Sequence, residues 1–222
     1  MRKTFGQKIE EISNDVILMG SKTQEAVSTA IKAFIEMNVG LAQKVIDGDE
    51  EIDEFDISIE EKCIVLQAEH QPVARDLRYL HSISIIIKSL ERIGDLAVNI
   101  SQIVKRLAKE DREHPDREII DLIVEMGNLA MSELNGAIES FKNKDLKLAL
   151  KIGKSDDMVD EIHKIVLGKL FSYHKREKDI KFVTSIVLAC RYLERIGDQS
   201  VNIGERVAYF LSGDYAVFGD NE

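Results

Sequence analysis

Two prolines and no tryptophan occur among the 222 residues, and only 6% of the chain is aromatic. Because proline interrupts helices and 32% of the residues are charged, this composition is typical of long helices. Cys63 and Cys190 are too few for a disulfide framework, so we expect both to be buried free thiols. No apolar run approaches the roughly 18 residues of a membrane span, and no signal peptide precedes Phe5. We therefore expect a cytosolic protein that does not insert into a membrane.

Basic residues are in the minority, since 30 lysines and arginines stand against 40 acids and leave a net charge of −10. A nucleic-acid-binding protein would need a basic face, so the charge argues against that class. An acidic surface would instead attract cations. The sequence has no glycine-rich phosphate loop, no Gly-x-Ser-x-Gly and no Cys-x-x-Cys, and nothing indicates a nucleophile or a general base. We expect no enzyme activity.

An internal repeat is the strongest signal in the chain. The decapeptide ERIGDLAVNI, Glu91–Ile100, returns 103 residues later as ERIGDQSVNI, Glu194–Ile203, with eight of ten positions identical. Upstream of the decapeptide the two halves match at an offset of 107 instead. Pairs at this offset are Gly20 and Gly127, Ala30 and Ala137, and Phe34 and Phe141. The offset changes where HQPVARDLR in the first half becomes the shorter HKREKDIK in the second, which indicates a loop.

Two homologous bundles are the predicted architecture. Apolar residues recur at steps of three and four in six segments, which predicts an all-α fold built by tandem duplication of a three-helix bundle. We place the first bundle at residues 1–112, the second at 113–212 and a C-terminal tail at 213–222. The linker is expected at His114–Asp116, because the residue before a proline resists helix and the aspartate can cap the next one.

Helix bounds follow from the same periodicity. Helix one is expected from about Phe5 to Met37, and helix two from about Asp49 to Glu69 after a turn at 38–48. Pro72 is expected in the first turn of helix three, where proline is tolerated. The apolar stripe of helix three comprises Ile83, Ile86, Leu90, Ile93, Ala97, Ile100, Val104 and Leu107.

Pairs of acids four residues apart are the candidate site, because this spacing puts both carboxylates on one face of a helix. In the first half they are Asp49 and Asp53 on helix two, with Glu91 and Asp95 on helix three. The equivalent residues of the second half are Asp156, Asp160, Glu194 and Asp198. Oxygen-only ligation suits hard cations such as magnesium, manganese, calcium or ferric iron, so we predict one metal site in each half.

Two alternatives remain beside this prediction. Descent by duplication would retain the paired acids without any function, leaving a purely structural scaffold. A di-iron carboxylate bundle would need histidine three residues after the glutamate, but Gly94 and Gly197 occupy those positions. Asp160 and His163 have the required spacing, yet His163 is matched in the repeat by Asp56, and we expect His163 at the surface.

Two tandem three-helix halves with Asp-x-x-x-Asp and a doubled Glu-Arg-Ile-Gly-Asp resemble the PhoU family, accessory and regulatory proteins of the phosphate-specific transport system. The segment QPVARDLR, Gln71–Arg78, adds to this resemblance, which spans essentially the whole chain. The second half lacks the proline and the arginine pair of that segment, so a role of Arg75 and Arg78 need not be duplicated.

The resemblance implies a cytoplasmic, non-enzymatic negative regulator of phosphate uptake and of the phosphate-starvation response. It implies two partners, the ATPase of the phosphate permease and a membrane sensor kinase. It also implies multinuclear iron or zinc clusters on the eight acids named above. We further expect a homodimer or a higher homo-oligomer.

Overall fold

The protein is described here by a computed structural model, which covers residues 2–109, 117–152, 156–172 and 177–214. Within these ranges the chain forms helices and no strands, as the sequence predicts. The helices are α1 Arg2–Glu36, α2 Val39–His70, α3 Ala74–Leu107, α4 Arg117–Asn143, α5 Leu146–Ala149, α6 Asp156–Ser172 and α7 Glu177–Ser212. The linker His114–Asp116 and all but the first two residues of the tail 213–222 lie outside the described residues.

The turn between α1 and α2 is much shorter than the predicted one. Met37 takes a left-handed backbone conformation with φ 48°, which reverses the chain within two residues. Asn38 then caps α2, its side chain accepting a hydrogen bond from the Leu41 N–H at 3.1 Å. The predicted turn at 38–48 is therefore wrong, because one left-handed residue and one cap suffice and α2 begins at Val39.

The second half repeats this turn and then departs from it. Lys144 has φ 52°, and Asp145 accepts from the Leu148 N–H at 3.0 Å. The helix that follows, α5, has only four residues, and α6 begins at Asp156. The six long helices that the sequence predicts are confirmed, and the four-residue α5 is an additional short helix that the sequence reasoning did not predict. Gly153 and Ser155, which lie between α5 and α6, have low helix propensity.

The apolar stripe predicted for helix three is confirmed, because all eight of its residues are buried. At the 103-residue offset, α7 has an equivalent buried stripe, with one serine in it. Its members are Ile186, Ala189, Leu193, Ile196, Ser200, Ile203, Val207 and Phe210. Burial of one large aliphatic side chain stabilises a fold by about 1.5–3 kcal/mol, so these two helices contribute much of the core. Cys63 and Cys190 are free and buried, as predicted.

The two bundles pack against each other through α1 with α4 and α3 with α7. At the first contact a Cβ on Gly20 would lie 3.1 Å from Ile138, and a Cβ on Gly127 would lie 3.1 Å from Ile31. Gly20 and Gly127, like Ile31 and Ile138, are 107 residues apart. The same glycine-to-isoleucine contact is thus made twice, which gives the pair of bundles an approximate two-fold symmetry.

An aromatic cluster joins the bundles at one end. Tyr79 of α3 meets Phe210 of α7 edge-on with ring centroids 4.8 Å apart, and Phe141 of α4 lies 6.1 Å from Phe210. The Tyr79 hydroxyl is 2.8 Å from the Ser13 hydroxyl, so its polar end has a partner. The apolar residues of both halves consequently form one continuous core.

The segment between α2 and α3 lies beside this junction. Gln71 closes α2 in a left-handed conformation, and Val73 is the residue before α3. Pro72 therefore precedes the helix and does not lie in its first turn, contrary to prediction. The Arg78 guanidinium lies over the ring of Tyr209, 5.8 Å from its centroid, and so connects the start of α3 to the end of α7. None of the described helices is long and apolar enough to cross a membrane.

Candidate metal centre

The acids of the first bundle lie along the groove between α2 and α3. These two helices pack against each other, which a site built from both of them requires. Asp49 and Asp53 come from α2, and Glu91 and Asp95 come from α3. At Gly94 the two helices are close together, because a Cβ there would lie 3.2 Å from Asp49 Oδ1 and 3.2 Å from a methyl group of Ile52 on α2. The missing side chain lets the Asp49 carboxylate lie against α3.

Burial and mutual repulsion disfavour the charged forms of these acids. Burial, with smaller contributions from Asp53 and Asp95, raises the pKa of Asp49 to about 6. Burial also raises the pKa of Glu91; Asp95, Asp56 and Asp53 raise it further, and Lys88 lowers it in part. The pKa of Asp95 is raised by burial and then by Asp53. The four predicted ligands therefore lie within electrostatic reach of one another and form one cluster.

Compensating positive charge is scarce around this cluster. Among the described residues, no lysine, arginine or histidine forms an ion pair with Asp49, Asp53, Glu91 or Asp95. The same part of the chain contains no group of three or more acid, histidine or cysteine side chains already close enough together to hold a metal ion. The acids share a groove, but their side chains are not yet close enough together to coordinate one metal ion. The metal site of the first bundle therefore stays a prediction.

Only part of the second predicted site can be placed. Glu194 and Asp198 lie on α7, at the positions of Glu91 and Asp95 in the repeat. Asp156 and Asp160 fall in the helical backbone of α6, but their side chains lie outside the described residues. The metal site of the second bundle stays a prediction as well.

One acid of the first bundle was missed by the sequence reasoning. Asp56 follows Asp53 on α2 and is only 6% exposed. Its Oδ2 accepts a hydrogen bond from Lys88 Nζ at 2.6 Å, and the same amine lies 3.2 Å from Glu60 Oε2. Asp56 Oδ1 is buried and has no hydrogen-bond partner. The Lys88 amine, which lies on α3 three positions before Glu91, is thus bound to two acids of α2.

His163 occupies the matching place in the second bundle, and the prediction that it lies at the surface is wrong. Its side chain is 15% exposed, and its Nδ1 lies 3.0 Å from Glu194 Oε2. Arg191 Nη1 donates to the other oxygen, Oε1, at 2.6 Å. Because α6 packs between α4 and α7, a residue at this position of the helix faces inward. The repeat offsets pair Asp56 with His163 and Lys88 with Arg191. This pairing could have indicated from the sequence that His163 and Arg191 lie near the second motif.

A different neighbour approaches the glycine of the second motif. A Cβ on Gly197 would lie 2.7 Å from Glu133 Oε2, whereas the equivalent Gly94 faces Asp49. Glu133 belongs to α4 and is buried, and its counterpart in the first half is Ala26. The two glycines serve the same purpose, close approach of a carboxylate, but the carboxylates come from different helices.

Comparison with known proteins gives one consistent answer. The chain matches the PhoU domain twice, over residues 16–104 and 123–207. It is 33% identical over 221 residues to the phosphate-specific transport system accessory protein PhoU homolog of Clostridium acetobutylicum, covering 99% of each chain. It is 30% identical over 220 residues to the corresponding PhoU protein of Escherichia coli, covering 98% of this chain and 90% of the relative.

Solved structures agree with the sequence relatives. The crystal structure of PhoU from Pseudomonas aeruginosa superposes with a TM-score of 0.89 at 33% identity and covers 95% of this chain and 100% of that one. The phosphate transport system regulatory protein PhoU from Streptococcus pneumoniae superposes with a TM-score of 0.85 at 25% identity, covering 95% and 98%. The two matches to one domain fall on the two bundles in order, and the relatives align over nearly the whole chain, so the chain belongs to the PhoU family.

Proposed function

We propose that this protein is a cytoplasmic accessory protein of a phosphate-specific transport system, where it negatively regulates phosphate uptake and the phosphate-starvation response. The observation that carries the proposal is the near full-length similarity to relatives that are named as accessory proteins of the phosphate-specific transport system. The doubled Glu-Arg-Ile-Gly-Asp segment supports it, because its isoleucine packs in the core while Glu91 and Asp95 of the first copy are left at the groove between α2 and α3.

The proposed mechanism is contact with partners, without turnover. The chain is strongly acidic, and no described helix could span a membrane, so it would reach a membrane through a protein already there. The proposed partners are the ATPase of the phosphate permease and a membrane sensor kinase, between which the protein acts as an adaptor. We also propose that it works as a homodimer or a higher homo-oligomer.

Metal binding is part of the proposal, and the residues of the first bundle fit a cation. Asp49, Asp53, Glu91 and Asp95 supply oxygen donors only, and burial together with repulsion disfavours their charged forms when no cation is present. Asp56 adds a buried oxygen that lacks a partner. Magnesium or manganese suits such donors, while the family resemblance implies iron or zinc. A bound cation would neutralise the groove and allow an acidic partner surface to approach it.

The direct test is binding to the two partners. We would measure the affinity of the full-length protein for the permease ATPase and for the sensor kinase, with and without a chelator. The expected result is association with at least one partner that weakens on chelation. Absence of detectable association with either partner, in both conditions, would exclude the adaptor mechanism.

A second candidate is a helical scaffold whose acidic motifs hold no metal. It is favoured by the lack of a preformed metal cage in the described part of the chain and by the internal ion pair of Glu194. Metal analysis of protein purified without chelator separates the two candidates. The scaffold predicts no bound transition metal and partner binding that is insensitive to chelation.

A further inference from the structure

An open groove lies where the end of α2, the start of α3 and the end of α7 meet, and the chain leaves α7 at its edge. We propose that residues 215–222, which follow α7 in the sequence, bind in this groove. The apolar residues 215–218 contact its apolar side chains, and the acids at 220 and 222 face the arginines at the start of α3. The contact requires neither the metal nor the partners proposed above.

The groove presents apolar surface that the described residues leave uncovered. Leu77 is 43% exposed, and Val73, which precedes α3, is 72% exposed. The volume of the groove is about 480 Å³, which falls within the range of sites that bind small ligands and side chains. Its lining residues are Gln67, Ala74, Leu77, Arg78, His81 and Tyr209. Exposed apolar side chains beside a concave surface are typical of a place where another segment binds.

The last residues of α7 bring the chain to this groove. The Gly213 N–H donates to the Tyr209 carbonyl at 2.8 Å, and Gly213 has φ 82°, so the helix closes in a left-handed cap. A Cβ on Gly213 would lie 3.0 Å from Arg78 Nη1, which puts the backbone directly against a residue of the groove. Leu77 is next to Arg78 in α3, and four extended residues reach roughly 13 Å. The segment 215–218 is therefore long enough to reach Leu77.

The sequence after Asp214 matches the groove in its apolar character. It reads Tyr-Ala-Val-Phe and then Gly-Asp-Asn-Glu, so four apolar residues precede two acids. Tyrosine and phenylalanine gain the most from burial, since each has a large apolar surface. A tether also gives the segment an effective concentration on the order of millimolar at the groove. A weak contact would then be well populated, whereas a separate molecule with the same affinity would need that concentration in solution.

The charges beside the groove complement the acids of the segment. Arg75 is exposed in the first turn of α3, and Arg78 Nε is buried without a hydrogen-bond partner. No ion pair between described residues involves either arginine. Because the chain has a net charge of −10, two arginines without an acidic partner are unusual here. Asp220 and Glu222 follow the apolar residues closely enough to supply the missing negative charge.

A single tryptophan in the full-length chain tests the contact. The protein contains no tryptophan, so F218W introduces the only indole and its fluorescence reports on that position alone. We expect emission at shorter wavelength than that of free N-acetyltryptophanamide and quenching by acrylamide about threefold weaker, because the indole is buried in the groove. Y215W carries the same test at a second position, so a poor fit of the indole at 218 does not decide the result.

L77Q and I165Q are the matched variants, each combined with the tryptophan reporter. Both replace an aliphatic side chain that is 43% exposed by a polar one that suits a helix. Ile165 lies on α6, which leads into the first residue of α7, whereas the groove lies at the last. L77Q should shift the emission to longer wavelength and raise the quenching about twofold, since it removes apolar contact area. I165Q should change neither quantity, and circular dichroism should verify that both variants remain helical.

Charge reversal tests the arginines. D220K/E222K should raise the quenching of the reporter, because two lysines are repelled by Arg75 and Arg78. Unchanged quenching in this variant would overturn the contribution of charge. Emission equal to that of the free indole in both F218W and Y215W, or equal effects of L77Q and I165Q, would overturn the contact itself. Emission that depends on protein concentration would show that the segment binds another copy of the chain, which would overturn the intramolecular contact.

Discussion

The grooves of the two bundles differ far more than their cores do. The buried stripes of α3 and α7 correspond position by position, and the glycines and isoleucines at the α1–α4 contact are interchangeable between halves. Glu91 and Glu194, in contrast, share a pentapeptide but differ in their contacts: among the described residues, Glu194 lies beside Arg191 and His163, whereas no basic side chain is paired with Glu91. The residue responsible, Asp56 or His163, lies outside the pentapeptide and on another helix. The contacts of a repeated motif therefore depend on residues outside the motif, on its own helix and on the neighbouring one.

The largest expected effect is a loss of stability that is the same for equivalent core substitutions in the two bundles. L90A and L193A remove equivalent buried side chains, so each should lower the free energy of unfolding by about 2–5 kcal/mol. Because both halves share one core, each variant should unfold in a single transition. Chemical denaturation followed by circular dichroism measures both quantities. A second transition in only one variant would show that the bundles unfold separately.

Removing the basic side chains of Lys88 and Arg191 should lower the free energy of unfolding by unequal and smaller amounts. K88M leaves the buried Asp56 carboxylate without its partner, and because Lys88 is 44% exposed we expect a loss of about 1–2 kcal/mol. R191M removes an ion pair whose arginine is 57% exposed, and we expect a loss of about 0.5 kcal/mol or less. Urea denaturation of the two variants in parallel measures the difference. Equal losses would contradict the different placement of the two side chains.

The raised pKa of Asp49 predicts that the stability of the protein depends on pH through the first bundle. The folded protein holds this proton up to about pH 6, whereas the unfolded chain loses it near pH 4. Folding is therefore progressively opposed as pH rises from about 4 to 6, and the penalty remains above that window. D49N should remove it, and with solvent screening we expect a gain of about 1 kcal/mol at pH 8 and little change near pH 4. Unfolding in chelator at both pH values measures this, and equal effects at the two pH values would contradict it.

The smallest expected effect comes from removing the acids themselves. In chelator, E91A/D95A should leave the fold intact or raise its stability by a few tenths of a kcal/mol, because clustered like charges are removed. E194A/D198A should lower stability slightly, since Arg191 and His163 lose a partner. The sign of the difference in thermal midpoint is the measurement. A large loss of helicity in E91A/D95A would show that these acids are structural.

Most of the fold could be predicted from the sequence, because the spacing of apolar residues at steps of three and four and the internal repeat can both be read directly from it. The stripe of α3 and the pairing of the halves needed nothing else. The start of α2 could not be placed, because Met37 adopts a left-handed conformation that its residue type does not indicate. The break after α5 was hidden by the same repeat, which made the two halves look more alike than they are.

The candidate site could be predicted only in part. Spacing placed Glu91 and Asp95 together on one helix face, but only packing shows which side chain of α2 reaches them. His163 was assigned to the surface because a histidine matched by an aspartate looks like a solvated position. The relevant signal was physical, since Asp56 is buried and a residue at the equivalent place on α6 is expected to be buried as well.

The glycine-to-isoleucine contact between α1 and α4 has a consequence for how such a difference can arise. Gly20 with Ile31 on one helix complements Gly127 with Ile138 on the other, so a single α1 carries both halves of a self-complementary surface. Such a surface is what a dimer of half-length subunits would use, and every substitution in that ancestor would appear in both subunits at once. Joining the subunits into one chain lifts that constraint. One copy can then exchange an aspartate for a histidine while the other remains as it was.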